Sequence, residues 1–159
     1  MSKRSLFLFL AIALVSLSAS AQHKKPMGNK SAGPVPDKAF LQKIWDGWST
    51  LNAANQTQFY ATGKHTYFDV SPLKYDNWDE YQKTVGKELE EYKSGKFTVN
   101  DDAEIHPAGD YVWGSATVSE DATLKNGKHE MATMRWTFIF GKEDGKWVLV
   151  HEHVSEPMP

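Results

Sequence analysis

Three ionisable side chains, His151, Glu152 and His153, stand side by side in a run that otherwise reads as an apolar strand, Lys146–Ser155. Alternation along a strand sends Glu152 to one face and both histidines to the other. A carboxylate among apolar neighbours is a candidate general acid or base, because desolvation lifts its pKa toward neutrality. Two histidines at i and i+2 converge on one side, as zinc ligands do, and His129, His65 or Asp69 are the residues that could add a third. None has diagnostic ligand spacing, so no metal is assigned. Asp69 ends a β-rich run, His65–Val70, where it serves either as a second site carboxylate or as a cap on the next turn. The chain has no cysteine, no Gly-x-Ser-x-Gly elbow and no glycine-rich phosphate loop, which removes thiolate, serine-elbow and phosphate-cradle chemistry. Ser155, close to Pro157, reads as a strand terminator.

The elements that would position these groups occupy one domain of a 159-residue chain. Its N-terminus has the pattern of a bacterial secretory leader: Lys3 and Arg4, an apolar run from Leu6 to Leu17, then Ala19-Ser20-Ala21 as a small-x-small cleavage site. Cleavage after Ala21 gives a secreted or periplasmic protein with no membrane association once the leader is gone. The absence of cysteine excludes a lipid-anchored form and disulfides. Residues 22–35, rich in Lys, Gly, Ser and Pro, read as a flexible linker, and residues 36–157 as the domain. The formal net charge is −2, and no basic run appears, so nucleic acid is not an expected partner. Six tryptophans within 13% aromatics supply either a pocket wall or a core.

Asp37 is the expected N-cap of a first helix whose stripe is Phe40, Leu41, Ile44, Trp45, Trp48 and Leu51. Asn55 is expected to cap a short second helix carrying Phe59 and Tyr60 and ended by Gly63. A short strand over His65–Val70 puts His65, Tyr67 and Asp69 on one face. A third helix begins at Asp76 or Asn77 and buries Trp78, Tyr81, Val85, Leu89 and Tyr92, while Lys87, Glu88, Glu90 and Glu91 form a solvated face. Strand patterns follow over Lys96–Ile105, Asp110–Leu124, Lys128–Phe140 and Lys146–Ser155, with hairpin signals at Asn126-Gly127 and Asp144-Gly145. Helices followed by antiparallel strands imply an α+β domain with its helices on one face of a bent sheet.

Arg135-Trp136-Thr137, Glu143-Asp144-Gly145-Lys146-Trp147 and the ending His151-Glu152-His153-Val154-Ser155-Glu156-Pro157 resemble the SnoaL-like branch of the NTF2-like superfamily. The ending also resembles the association domain of calcium/calmodulin-dependent kinase II, although Val154 stands where that domain's pattern places an arginine. The resemblance implies an NTF2-like cone, with about three helices on a strongly bent mixed or antiparallel sheet. It also implies a central pocket and a homodimer formed through the outer sheet face. Activities on this fold range from cyclases, isomerases and dehydratases to plain binding or dimerisation modules.

The turn register decides which residues face the pocket. A three-residue Glu143-Asp144-Gly145 loop sets Phe140 opposite Val148 and Trp136 opposite Glu152, segregating one nearly apolar face. A two-residue loop mixes the sets. On the preferred register Glu152 is the only charged group on the helix-facing side, and Arg135, Trp147, Leu149, His151 and His153 lie outside. The Arg135, His151 and His153 cluster is therefore expected at a dimer interface. The functional expectation is a pocket for a small, largely apolar molecule, walled by Trp45, Tyr67, Trp78 and Trp136. Glu152 and Asp69 are its candidate catalytic carboxylates. Catalysis, if present, would be proton transfer without a cofactor; the alternative is a non-catalytic dimerisation or carrier module.

Overall fold

The computed structural model describes residues 33–158. The leader and the linker through residue 32 lie outside them. Two α-helices and a 3₁₀ helix cover one face of a seven-stranded mixed sheet, the expected α+β cone. Helix α1 spans Lys38–Trp48, with Asp37 accepting a bond from the Phe40 amide at 2.8 Å. Its buried stripe is Leu41, Ile44, Trp45 and Trp48. The second helical segment is the 3₁₀ turn Ala53–Phe59, capped by Asn52 rather than Asn55. Tyr60 is not part of it: the chain is already extended there and bridges to Leu149.

Strands β1 (Lys64–Phe68) and β2 (Tyr75–Asn77) precede α2 (Trp78–Leu89), which Asn77 caps. The helix stops before Tyr92, which opens β3 (Tyr92–Val99) instead of extending the helical stripe. The strand expected over Lys96–Ile105 is thus two, β3 and β4 (Glu104–Ala108), and both pair with β5 (Tyr111–Leu124). Strands β6 (His129–Glu143) and β7 (Lys146–Ser155) complete a sheet ordered β2-β1-β7-β6-β5-β3. All pairs are antiparallel except β1 with β7.

The β6–β7 register corrects the three-residue loop. Glu143 pairs with Lys146 across a two-residue Asp144-Gly145 turn, both residues at positive φ, 49° and 78°. That left-handed pair matches the twist of the flanking strands. Phe140 then faces Leu149, and Ile139 faces His151, leaving Val150 as an extra residue in a bulge. The Leu149 carbonyl beside the bulge takes bonds from the Ala61 amide at 2.9 Å and the Tyr67 hydroxyl at 3.2 Å. Without the bulge, the tight turn would set Glu152 opposite Thr137 and turn it outward. With it, Glu152 pairs with Phe138 and points into the core. Leu149 and Trp147, expected outside, are also buried in the core.

Candidate functional site

Glu152 is almost completely buried, 1% exposed. The Tyr60 hydroxyl donates to its Oε1 at 2.6 Å and the Trp136 indole N–H to its Oε2 at 2.8 Å. Trp78 stacks on the Tyr60 ring at 4.0 Å and 17°, which holds the phenol in place. Burial lifts the Glu152 carboxyl to about 7, and the bonds from Tyr60 and Trp136 pull against that rise. The negative charge of Asp69 adds to the rise, while Tyr81 opposes it.

Asp69 follows β1 and accepts a bond from the Val70 amide at 2.7 Å. Burial raises its pKa above the usual carboxylate range; the Val70 amide and the Tyr81 phenol oppose the shift. Tyr81 therefore favours the charged form of both carboxylates. Its ring stacks on Tyr75 at 4.6 Å and Tyr67 at 5.6 Å.

Between α1, α2 and the sheet lies a cavity of ≈ 270 Å³. Trp45 and Trp48 reach it from α1, Tyr81 and Val85 from α2, and Phe97 from β3. Asp69 stands in its wall, whereas Glu152 lies one layer behind it. Of the four aromatics expected to form the wall, the structure places Trp45 at the cavity. Tyr67, Trp78 and Trp136 lie in the packed core around Glu152.

Three further carboxylates border the cavity. Glu88, expected on the solvated face of α2, is exposed there and also borders the cavity one turn beyond Val85. Glu120 points to the helix side of β5, in phase with buried Val118 and Ala122, so Glu152 is not alone on that side of the sheet. Glu156, just past β7, completes the set.

The outer face holds the remaining candidates. The His151 Nδ1–H donates to the Thr66 carbonyl at 2.7 Å, and His153 packs edge-on against Phe68. Arg135 donates to the Glu156 backbone carbonyl at 2.8 Å. Among the described residues, no group of three or more His, Cys, Asp or Glu is placed to hold a metal ion.

The fold and the cavity define a helix-capped α+β cone, and the family model for the SnoaL-like domain matches residues 38–159. The chain belongs to the SnoaL-like domain family. Its structure is similar to that of an NTF2-like superfamily protein from Salmonella enterica serovar Typhimurium, with a TM-score of 0.67 at 14% identity, covering 77% of this chain and 92% of that one. It is similar to a candidate calcium/calmodulin-dependent protein kinase II association domain from Xanthomonas campestris, with a TM-score of 0.65 at 20% identity over 84% of this chain and 98% of that one. A hexachlorocyclohexane dehydrochlorinase also matches, with a TM-score of 0.64 at 12% identity over 76% of this chain and 84% of that one. At these identities the likeness shows the fold. Comparison with curated proteins by sequence returns no match.

Proposed function

We propose that the domain binds a small organic molecule in the cavity, with Asp69 in its wall as the carboxylate that exchanges a proton with it. The observation that carries this reading is an aromatic-walled cavity of ≈ 270 Å³ with a partly desolvated carboxylate in its wall. Glu152 supports the site from behind by orienting Tyr60 and facing Tyr81. A neutral probe of suitable size, 2-naphthol, tests the binding. It should shift the Trp45 indole resonance in a saturable way, and Val85→Trp, which fills the cavity, should abolish the shift. Absence of saturable binding, or binding untouched by a folded Val85→Trp protein, would sink the proposal.

Proton transfer of the isomerase, dehydratase or cyclase type is the catalytic form of this reading, and Asp69 is its base. The raised Asp69 pKa favours it, because burial makes this carboxylate a stronger base than an exposed one. The dehydrochlorinase neighbour adds support by analogy of fold alone. Asp69→Asn should then retain 2-naphthol binding; loss of binding in a folded variant would remove the separation between binding and proton transfer.

Two features outside the cavity belong to the same proposal. The Lys3-Arg4 leader pattern with Ala19-Ser20-Ala21 supports export, which the N-terminal residue of the protein recovered from the producing cell would test: Gln22 is expected. Homodimerisation through the outer sheet face is supported by the exposed side chains of Tyr111, Trp113 and Met131 on the odd-numbered side of β5 and β6. Sedimentation should give a dimer that Trp113→Glu dissociates.

A further inference from the structure

We propose that the molecule held in the cavity is a small organic cation, an ammonium group on an apolar body. This deepens the binding reading above and rests on it.

The first observation is the composition of the wall. Half-buried Asp69 and Glu120 and exposed Glu88 and Glu156 arrive from four separate segments of the chain, and among the described residues no Lys, Arg or His lines the cavity with them. The basic side chains Arg135 and His153 lie outside it. Arg135 is engaged with the Glu156 backbone carbonyl, and His153 lies against Phe68 on the outer face. The carboxylates disfavour one another's charge: Asp69 pushes Glu88 up, and Glu156 pushes Glu120 up, each after the larger effect of burial. Gathering such groups without a counter-charge costs free energy that a bound cation would return.

The second observation is aromatic. Trp45, Trp48, Tyr81, Tyr92 and Phe97 share the wall with the acids. Ring faces attract an ammonium group, best when it is desolvated, and they accept an apolar body equally well. An anion of the same shape meets repulsion from every carboxylate.

The third observation is size. At ≈ 270 Å³ the space is at the small end for ligand sites, which start at roughly 300 Å³, so the molecule is small.

A ladder of three probes with one shared body tests the assignment. 2-Phenoxyethylamine is a cation at neutral pH, 2-phenoxyethanol is neutral, and phenoxyacetate is an anion; each carries the ether oxygen. Calorimetry and the Trp45 indole resonance should rank them in that order, with the cation about tenfold tighter than the alcohol. The Glu88→Gln/Glu120→Gln double variant should retain the alcohol and lose most of the preference for the amine. The ranking on the unmodified protein tests the proposal even if that variant does not fold. If the alcohol binds as well as the amine, or the preference survives the double variant, the cation is excluded while the cavity reading stands. If none of the three binds but 2-naphthol does, the cation proposal again falls alone; silence from all four probes ends both readings.

Discussion

Glu152 and the cavity carboxylates are the same chemical group placed in opposite circumstances. Glu152 has a donor on each oxygen, from Tyr60 and Trp136, and no opening beside it. Glu88 and Glu120 stand partly exposed around a space, with repulsive neighbours. A carboxylate whose donors are all protein groups is built into the fold, and its removal leaves those donors stranded. Carboxylates facing a cavity that, among the described residues, no Lys, Arg or His lines add little to the fold.

The largest test of this contrast acts on the register that creates it. Inserting one alanine between His151 and Glu152 would carry Glu152 and Val154 to the outer face and break both its hydrogen bonds. The expected loss exceeds roughly 4–5 kcal/mol, so the cooperative thermal transition should disappear. Deleting Val150 leaves the pairing of Ile139 with His151 available and should be the milder change. Circular dichroism melts of the two proteins decide the matter: an insertion variant as stable as the deletion variant would show that the bulge does not set the face.

A substitution separates the two regions next. Glu152→Leu strands the Tyr60 hydroxyl and the Trp136 N–H in the core, with an expected cost of about 2–5 kcal/mol. Glu120→Leu removes a partly desolvated, repelled carboxylate and should lie within about 1 kcal/mol of the parent, on either side. Urea titration of both variants would contradict the comparison if the costs were equal.

The protonation of Glu152 supplies a test in pH. Its carboxyl rises from 4.5 to about 7 on folding, so the folded protein binds the proton more tightly than the unfolded chain. That contribution is fully present below pH 4.5 and is lost as pH rises through about 7. It amounts to on the order of 3 kcal/mol across the window. Glu152→Gln should flatten this slope, leaving the smaller dependence from Asp69, Glu88 and Glu120, whose shifts have the same sign. An unchanged slope in a two-state variant would remove Glu152 as its source.

The inward position of Glu152 was legible from the strand pattern, but for a reason that the structure replaces. A three-residue turn without a bulge and a two-residue turn with one both turn Glu152 inward, because each adds a residue to the count. They differ only nearer the turn, where Leu149 and Trp147 change sides. Val150 is as apolar as its neighbours, so nothing in its type marks it as the bulge. The two α-helices were legible from period and caps, whereas the 3₁₀ turn begins at Asn52 and not Asn55; Tyr92 was misread because an aromatic at helical spacing after Leu89 fits a stripe as well as a strand start. Glu88 is exposed as its charge implies, and that it also borders the cavity follows from the neighbouring elements rather than from its own helix. The cavity is absent from the pattern altogether, since a space between elements is written in no single element's period.

The finest distinction lies between two tryptophans that meet edge to face, with ring centroids 5.4 Å apart. Trp136 spends its N–H on Glu152, whereas the Trp45 N–H has no partner among the described residues. Trp→Phe removes about the same volume at either position, so the difference between the two variants isolates the N–H. Trp136→Phe should cost about 1–2 kcal/mol more than Trp45→Phe, because only the first breaks a hydrogen bond to a buried carboxyl. It should also raise the Glu152 pKa further, since the lost donor had favoured the charged form. Trp45→Phe should leave the pH slope of stability as it was. The pair of melts at pH 5 and pH 8 reads both effects together, and equal costs with equal slopes would mean that the Glu152 niche and the cavity wall are held by the same packing and differ in nothing the indole N–H contributes.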